Sequence, residues 1–361
     1  MNRYPELTSN IQHLTSVLIT EFDYELPPEL IAQHPLASRD ASRMLVVDRS
    51  TGQLTDLDFS SLPSYLRPGD VLVLNNTKVL PARLIGRREG SSGRVEIFLV
   101  NQTAPGIWEA LSRPARRLQK GARVVFDNGR MTATVLEVLD DGHRLVGFET
   151  DGPFDEVIDE IGRPPLPPYI KRDEQLSGED RERYQTVFAR FPGAIAAPTA
   201  GLHFTPELLQ KIKAEGAKVA EITLHVGYGT FEPVRVKELS GHSVGAERFD
   251  ISPEAAEIIN AGRREGGRIV AVGTTTTRAL ETAASEEGTL KPGSGMTGLT
   301  ITPGYRFRAV DAMLTNFHLP QSSLLVLVAS FAGYNLTMNA YRHAVNSKYR
   351  FYSYGDCMLI I

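Results

Sequence analysis

Two histidines, His203 and His225, lie in segments rich in small residues, GAIAAPTAGLHFT and TLHVGYGTF. Histidine has an ordinary pKa near neutrality, so either side chain could act as a general acid or base. Glycine and alanine let the backbone come close to a ligand. The stretch TPELLQKIKAEG between them predicts a helix that ends at Gly216, and KVAEITLHV predicts the next strand. In a parallel sheet, both histidines would reach the strand's carboxyl edge, where ligands usually bind. The alternative is that each imidazole only completes a hydrogen bond within the core.

A second candidate site lies where the predicted strand RIVAVG runs into the predicted helix TTTTRALETAA. Hydroxyls and free amides at a helix N-terminus bind anions, and Arg278 adds a positive charge. We therefore expect Thr274, Thr275 and Arg278 to bind a phosphate or a carboxylate. The alternative is a simple threonine cap, which needs one hydroxyl.

Two further segments carry polar side chains next to predicted strands. The turn TNFHLP presents Asn316, Phe317 and His318 between apolar runs, an arrangement that suits a planar ligand, although a buried turn is the alternative. Near the front of the chain, RDASR carries Arg39 and Arg43, and NNTK follows the strand VLVL. Residues at strand ends often bind ligands, whereas surface salt bridges are the competing explanation.

The charge of the chain points to no single class of partner. The chain has 361 residues and a formal net charge of -4, so only a local basic patch could bind a polyanion. One such patch is predicted in a segment that has no acidic residue from Ala110 to Phe126. Its residues are Arg113, Arg116, Arg117, Lys120 and Arg123. A solvated strand face is the alternative.

The composition argues against several other kinds of site. The single cysteine, Cys357, excludes an internal disulfide and any all-cysteine metal centre. His203, His225 and His318 could bind zinc in principle, but no HExxH or CxxC spacing supports this, and we predict no metal. The longest apolar run, from Leu324 to Ala332, is too short to span a membrane, so we expect a cytoplasmic protein without a membrane partner.

The order of predicted elements indicates an α/β fold interrupted by an all-β unit. From Val71 to about Thr150 the chain shows short β-type runs, VLVLN, RVEIFLV, IWEALS, ARVVFDNG, MTATVLEV and HRLVGFET, which predict a small β-barrel. Beyond Ala189 strands and helices alternate, and MLVVD near the front is a strand of the same kind. We predict a larger α/β domain built from both chain ends (19–72 and 160–361), an inserted β-barrel domain (73–159) and a loose N-terminal leader (1–18). The polar stretch from Ser285 to Thr297 is predicted to be a flexible loop.

These segments together resemble the family of S-adenosylmethionine:tRNA ribosyltransferase-isomerases of queuosine biosynthesis. The resemblance runs from about Glu21 to the C-terminus and includes FDYELPPELIAQHPLASRDASR, PGDVLVLNNTKVLPARL, PLPPYI, RYQTVFARFPGAIAAPTAGLHFT, TLHVGYGTFEPVRV, VAVGTTTTRALE, TNFHLP and YRFYSYGDCML. It implies transfer and isomerisation of the ribosyl group of S-adenosylmethionine onto 7-aminomethyl-7-deazaguanine at the tRNA wobble position, giving epoxyqueuosine-tRNA, adenine and methionine. S-adenosylmethionine is then a consumed substrate, no cofactor is needed, and no protein partner is predicted.

The implied reaction assigns roles to the candidate residues. A sulfonium acidifies the adjacent C5′ hydrogens, so a histidine base, His203 or His225, could remove one, and Asp23, Asp40 and Asp356 are the available carboxylates. Phe317 or Tyr228 could stack on a purine-like ring. The residues predicted to bind substrate are Arg39, Arg43, Asn76, Thr77, Lys78, Thr205, Gly227, Tyr228, Gly229, Thr230, Thr274, Thr275, Arg278, Asn316, Phe317 and His318.

One position departs from the resemblance. The family usually carries HxMH followed two residues later by glutamate, but this chain reads His242-Ser243-Val244-Gly245-Ala246-Glu247, so Gly245 replaces the second histidine. The alternative function is therefore a non-catalytic tRNA-binding relative that has kept the fold.

Overall fold

A computed structural model describes residues 17–172, 177–231, 234 and 236–361. Of the predicted leader, 1–18, only Val17 and Leu18 are among the described residues.

The described residues form α-helices and β-strands that short 3₁₀ turns connect. The strands are β1 (Arg43–Val47), β2 (Leu54–Asp58), β3 (Val71–Asn75), β4 (Thr77–Val79), β5 (Arg83–Arg88), β6 (Arg94–Ala104), β7 (Ile107–Arg113), β8 (Arg123–Phe126), β9 (Met131–Val138), β10 (Arg144–Thr150), β11 (Phe191–Ala194), β12 (Lys218–Leu224), β13 (Glu247–Ile251), β14 (Ile269–Val272), β15 (Gly293–Thr297), β16 (Ala312–Asn316) and β17 (Cys357–Ile360). The helices are α1 (Phe154–Ile161), α2 (Ser177–Arg183), α3 (Pro206–Ala214), α4 (Pro253–Arg264), α5 (Thr274–Ala283), α6 (Ser323–Ala332) and α7 (Tyr334–Asn346).

The larger unit is built on a nine-stranded sheet in the order β15-β13-β12-β3-β14-β16-β17-β1-β2. The four neighbours β12, β3, β14 and β16 run parallel to one another, whereas β17 pairs antiparallel with β16. The inner strands β3, β14 and β16 are buried at every position, as expected when both faces of a sheet are covered. The four parallel strands therefore end at one common edge.

The β-unit is a closed six-stranded barrel in the order β10-β7-β6-β5-β8-β9. Buried and less buried residues alternate along its strands, for example in RVEIFLV of β6, so one face fills the barrel. Val95, Ile97 and Leu99 belong to that core. The predicted fold class, an α/β unit interrupted by a small barrel, is confirmed.

Two predictions about individual segments are wrong, those for VLVLN and for the stretch 285–297. The run VLVLN is β3, in the middle of the large sheet, and the sixth barrel strand is β5, RLIGRR. Strand β3 also lies across the predicted domain boundary at residue 73. The stretch from Ser285 to Thr297 is not a flexible loop, because its last five residues are β15, which pairs with β13.

The apolar run from Leu324 to Ala332 lies in α6, a core helix. Leu325, Val326, Leu327 and Val328 are all buried. Within the described part of the chain, no single helix is long and apolar enough to cross a membrane, and the pair α6 and α7 passes that test only jointly, with a bend of 117° between them.

Candidate active site

The carboxyl ends of the four parallel strands bring together most of the segments that the sequence singled out. His225 follows β12, Asn76 and Thr77 follow β3, Gly273 and Thr274 follow β14, and Phe317 and His318 follow β16. Open α/β sheets bind ligands at this edge because the loops and helix N-termini converge there. Segments far apart in the sequence are thus collected along one edge.

Two adjoining cavities lie along this edge. The barrel-side cavity, of about 590 Å³, lies between the barrel and the large sheet; the sheet-edge cavity, of about 460 Å³, lies over the ends of β14 and β16. Val226, Thr230 and Leu324 line both cavities, so the two meet along these residues. Each volume falls in the range of small-molecule sites.

His225 stands in the wall of the barrel-side cavity. Its Nδ1 lies 2.9 Å from Thr77 Oγ1, and the Thr77 hydroxyl donates to the Phe191 carbonyl at 3.5 Å. This contact holds the ring through Nδ1; in the tautomer in which Nδ1–H donates to Thr77, Nε2 carries the lone pair. Burial, with a smaller effect from the Arg248 charge, lowers the pKa of His225 to about 4. The ring is therefore a neutral proton acceptor at pH 7.

Gly193 makes room for this imidazole. Its φ is +147°, and a Cβ at this position would lie 2.6 Å from Nδ1 of His225. We expect Gly193→Ala to displace the ring and to lower the rate of the enzyme's reaction about 100-fold. The measurement is turnover, together with the thermal midpoint.

A suitable control for that variant is Gly178→Ala, because a Cβ at this exposed helical position meets nothing within 4 Å. Equal turnover in the Gly193→Ala and Gly178→Ala enzymes would show that the position of the His225 ring is unimportant.

A buried ion pair forms another part of the barrel-side cavity. Arg278 Nη1 lies 2.9 Å from Glu247 Oε2, and the Gly227 amide donates to Glu247 Oε1 at 2.9 Å. Arg278 also donates to the carbonyls of Thr297 and Leu299. Burial raises the pKa of Glu247, and the Arg278 charge opposes this shift. The pair fixes the loop of Gly227 against β13 and β15.

The sheet-edge cavity ends on the N-terminus of α5. Gly273, with φ +95°, occupies the cap position and offers no side chain, so the first amides of α5 have no side-chain cap. Thr276 and Thr277 donate back to the carbonyls of Val272 and Gly273, whereas Thr274 and Thr275 line the cavity. Free amides with the helix dipole make this end suitable for a carboxylate or phosphate.

The opposite wall of the sheet-edge cavity is aromatic. Tyr169, from the PLPPYI segment, and Tyr352, from YRFYSYGDCML, have ring centroids 4.1 Å apart. Tyr169 shares a hydrogen bond of 2.6 Å with Ser353, and the Asn316 amide donates to the Tyr352 carbonyl at 2.9 Å. The cavity thus offers an anion-binding end and two aromatic rings that are tilted 44° to each other.

His203 and Phe317 lie beneath this edge. Both ring nitrogens of His203 face protein atoms, Ser42 Oγ at 2.6 Å and Asn316 Oδ1 at 3.3 Å, and burial lowers its pKa to about 4. Phe317 is fully buried among Tyr341, Tyr349 and Phe351, so the structure does not present it for stacking on a ligand.

The predicted substrate-binding residues of the loop at Gly227, together with His318, line the two cavities. Gly227, Tyr228 and Gly229 line the barrel-side cavity, and Thr230 lines both. His318 lines the sheet-edge cavity, but its Nε2 is 2.9 Å from Thr315 Oγ1, and burial lowers its pKa to about 3.

The structure places the front cluster away from both cavities, in structural contacts. Arg39 donates to the Leu202 carbonyl at 3.2 Å, and Arg43 donates to the Ser347 carbonyl at 2.7 Å and covers the Tyr349 ring. Asp40 accepts from Ser38, and Asp356 accepts backbone amides of Arg43 and Arg350.

Three further candidates have partners outside the two cavity walls, and a fourth, Asp23, bonds to one residue of the sheet-edge cavity. Asn76 bonds to Glu221 and Thr223, and Thr205 caps α3 through the Leu208 amide. Lys78 lies 3.7 Å from Asp159. Asp23 accepts from Gln321, a residue of the sheet-edge cavity, so it stands behind that cavity's rim.

The predicted basic patch lies at the barrel end away from the cavities. Trp108 and Glu109, near the start of β7, line the barrel-side cavity, whereas Arg113 ends the same strand about 17 Å further on. Arg113, Arg116, Arg117 and Lys120 are exposed. Arg123 is less available than the local sequence suggests, since Glu89 and Glu149, outside that segment, approach it to 3.7 and 3.9 Å.

Sequence reasoning missed four residues that line the cavities. Tyr169 and Tyr352 are in the quoted segments PLPPYI and YRFYSYGDCML, but nothing in their spacing pairs them. Glu109 is in β7 and His143 is in the turn before β10. No local motif in the barrel sequence marks either residue as part of a site. Among the described residues, one group has the spacing of metal ligands, namely Glu109, Asp141 and His143. It includes none of His203, His225 and His318, the three histidines that were considered as zinc ligands.

The fold and the site define a protein with an α/β sheet, an inserted barrel and a two-part cavity at the carboxyl edge between them. A family model described as queuosine biosynthesis protein matches residues 19–360. The chain therefore belongs to the queuosine biosynthesis protein family. Its resemblance to that family, inferred from the motifs, is confirmed.

Individual relatives agree with this assignment. The chain is 52% identical, over 95% of its length and 99% of the relative's, to the S-adenosylmethionine:tRNA ribosyltransferase-isomerase of Symbiobacterium thermophilum. The protein of the same name from Thermoanaerobacter sp. (strain X514) is also 52% identical, over 95% of this chain and 99% of the relative. The crystal structure of S-adenosylmethionine tRNA ribosyltransferase from Thermotoga maritima is 40% identical, with a TM-score of 0.53, and the match covers 94% of this chain and all of that one.

Proposed function

We infer that this chain is the enzyme of queuosine biosynthesis that transfers and isomerises the ribosyl group of S-adenosylmethionine onto 7-aminomethyl-7-deazaguanine in tRNA. Relatives of that name share about half of its residues over nearly the full chain. The observation that carries the inference is the pair of adjoining cavities, which meet at Val226, Thr230 and Leu324. Two substrates that must react with each other need two connected binding sites.

We place S-adenosylmethionine in the sheet-edge cavity. The amides at the start of α5 and the hydroxyls of Thr274 and Thr275 would bind the methionine carboxylate. Tyr169 and Tyr352 offer flat faces to the adenine. The tRNA base would enter the barrel-side cavity, past Tyr228.

His225 is the proposed base of the reaction. A sulfonium makes the neighbouring C5′ hydrogens acidic, and a neutral imidazole with its lone pair on Nε2 can accept one. Thr77 holds the ring by its other nitrogen, and Gly193 leaves space for it. His203 is less suited to this role, because both of its nitrogens face protein atoms.

Gly245 bears on whether the chain is active. It lies in the wall of the barrel-side cavity, and a Cβ there would meet nothing within 4 Å. A histidine at this position would therefore project into open space, and no neighbouring packing depends on it. His225 stands in the same cavity, so an acid–base residue is present without it.

The deciding experiment incubates the protein with S-adenosylmethionine and a tRNA that carries the aminomethyl base. Free adenine, methionine and the epoxyqueuosine nucleoside are the expected products, and tRNA with guanine at the wobble position is the control. Binding of the modified tRNA without release of adenine would contradict the inference and would favour a non-catalytic tRNA-binding protein.

The basic patch is the proposed contact with the tRNA stem. A base in the barrel-side cavity leaves the rest of the tRNA to run along the barrel, whose far end carries Arg116 and Arg117. We expect the double variant Arg116→Ala, Arg117→Ala to weaken tRNA binding and to lower the slope of log K against log salt by about 1–2. Titrations at several salt concentrations measure this slope.

The matched control for this double variant is Arg264→Ala with Arg342→Ala, two exposed arginines of the α/β unit. An equal change of slope in both double variants would assign the effect to net charge alone.

The proposed reaction consumes S-adenosylmethionine as a substrate and needs no cofactor. Both proposed substrates, a tRNA and S-adenosylmethionine, are molecules of the cytoplasm, so we place the reaction there.

A further inference from the structure

The barrel contributes a histidine–carboxylate pair to the barrel-side cavity. His143 Nδ1 lies 2.5 Å from Glu109 Oε1, and both residues line the cavity. Their side chains are 18% and 24% exposed, so a ligand and solvent can both reach them. The pair thus lines the same cavity as His225.

Strand pairing holds both residues in place. Glu109 is in β7, paired with Asn101 of β6 on one side and with Leu145 of β10 on the other. His143 closes the turn between β9 and β10, where its carbonyl accepts from the Leu139 amide at 2.9 Å. Its own amide donates to Asp141 Oδ1 at 2.8 Å. Both side chains are therefore anchored by the rigid part of the barrel.

The hydrogen bond assigns the proton on the imidazole. A carboxylate only accepts, so Nδ1–H of His143 donates to Glu109, which leaves Nε2 as the proton acceptor. A carboxylate in this position also stabilises the imidazolium once the ring is protonated. The arrangement is that of an oriented general base.

Among the described residues, Glu109 is also the carboxylate of this cavity that is held in position and has no arginine within salt-bridge distance. Glu247 is neutralised by Arg278 at 2.9 Å, and Asp155 is exposed at the start of α1. The described ionisable groups that line the cavity with the pair are Asp155, His225, Tyr228, Glu247, Arg248 and Arg278, and Asp141 lies beside His143. Of these carboxylates, Glu109 is therefore the one best placed to bind a cationic group of a ligand.

We propose that His143, oriented by Glu109, receives the aminomethyl group of the tRNA base and removes one proton from it. This proposal rests on the proposed function, because it concerns the second substrate of the same cavity. An alkylammonium has a pKa of about 10 and no free electron pair. In the step, one N–H bond of the ammonium breaks, its electron pair stays on nitrogen, and the proton moves to Nε2 of His143. The neutral amine is then the nucleophile for the ribosyl carbon, and the partly exposed imidazolium returns the proton to solvent.

The test compares Glu109→Gln and His143→Gln with the wild-type enzyme between pH 6.5 and 9.5. We expect kcat/KM for the modified tRNA to fall about 100-fold at pH 7 in each variant. The deficit should shrink about tenfold per pH unit as pH rises, because the fraction of neutral amine in solution rises by that factor. A purely structural role would leave the deficit equal at every pH, and that result would overturn the proposal.

A binding measurement gives a result that does not depend on turnover. The wild-type enzyme should bind tRNA with the aminomethyl base more tightly than tRNA with guanine, and Glu109→Gln should lose this preference. An unchanged preference, or none in the wild type, would overturn the proposal. If the wild type shows the preference but releases no adenine, the proposed function fails while this binding role stands.

Two controls complete the design. Glu137→Gln removes an exposed carboxylate from β9 of the same barrel, outside the cavity lining, and should behave as the wild type. Thermal unfolding shows that each variant is folded. Titration with Zn²⁺ alone tests whether Glu109, Asp141 and His143 bind a metal ion instead. If the wild type binds one ion tightly and Glu109→Gln abolishes this binding, the group is a metal site and the proposal is overturned.

Discussion

A His225→Gln enzyme is expected to transfer the ribosyl group about 10²–10⁴-fold more slowly than the wild type. The substitution keeps a polar side chain next to Thr77 but removes the only group of this residue that can accept and return a proton. S-adenosylmethionine should still bind with nearly unchanged affinity, because its proposed contacts are at α5 and at the two tyrosines. The measurements are single-turnover adenine release and equilibrium binding of S-adenosylmethionine.

The pH profile sharpens this test. Burial and Arg248 lower the pKa of His225 to about 4, so the ring stays neutral at pH 5 and its protonation should slow the reaction only as pH falls through about 4. His343→Gln, at an exposed histidine bound to Asp56, is the control. Turnover within twofold of the wild type in His225→Gln would remove this residue from the proton-transfer step.

Acidification from pH 7.5 to 5 is expected to lower the free energy of unfolding by about 4 kcal/mol through His203 and His318, about 2 kcal/mol from each, and further through the less buried His225, whose pKa is also lowered to about 4. His203 and His318 are buried, 4% and 8% exposed, with pKa values lowered to about 4 and about 3. At pH 5 the unfolded chain protonates these histidines and the folded chain does not. The unfolded state therefore binds more protons, and stability falls as pH drops below about 6.5, the ordinary histidine pKa.

Urea unfolding at both pH values measures this difference. His318→Gln should reduce the pH-dependent loss by about 2 kcal/mol, whatever it does to stability at pH 7.5, and His203→Gln should do the same. Glu247 acts in the opposite direction, since its raised pKa lets the folded chain gain a proton on acidification. Equal stability of the wild type at pH 7.5 and 5 would contradict the low pKa values of the buried imidazoles.

The sequence predicted correctly those helices whose starts are marked by neighbouring residues in the chain. The helices α3 and α5 begin within one residue of their predicted starts, because Thr205 and the turn at Gly273 mark them. The barrel strand β5, RLIGRR, was missed because its basic residues and Gly86 hide the apolar alternation. VLVLN was assigned to the barrel because a buried strand has the same appearance in either sheet.

The candidate site was predictable where chain order alone brings residues to one sheet edge, as with His225 and Thr274. It was not predictable where tertiary contacts decide which atoms are free. His203 and His225 are in equally small-residue segments, yet only His203 has protein atoms at both nitrogens. The stacking role expected of Phe317 stays a prediction, because Phe317 lines the sheet-edge cavity but other aromatic rings surround its buried side chain. Tyr169 and Tyr352, whose rings meet there, are separated by about half of the chain.

The order of strands in the large sheet has a consequence for synthesis on the ribosome. Strand β17, residues 357–360, lies between β16 and β1, so β1 and β2 join the other strands only through a segment made much later. The barrel, by contrast, closes with strands from residues 83 to 150 and can fold while the rest of the chain is still being made. Strands β1 and β2 can pair with the rest of the sheet only after residue 360 has been synthesised, and the cavity edge that the completed sheet supports forms no earlier. A nascent chain is therefore expected to contain a folded barrel next to an incomplete sheet that chaperones can bind.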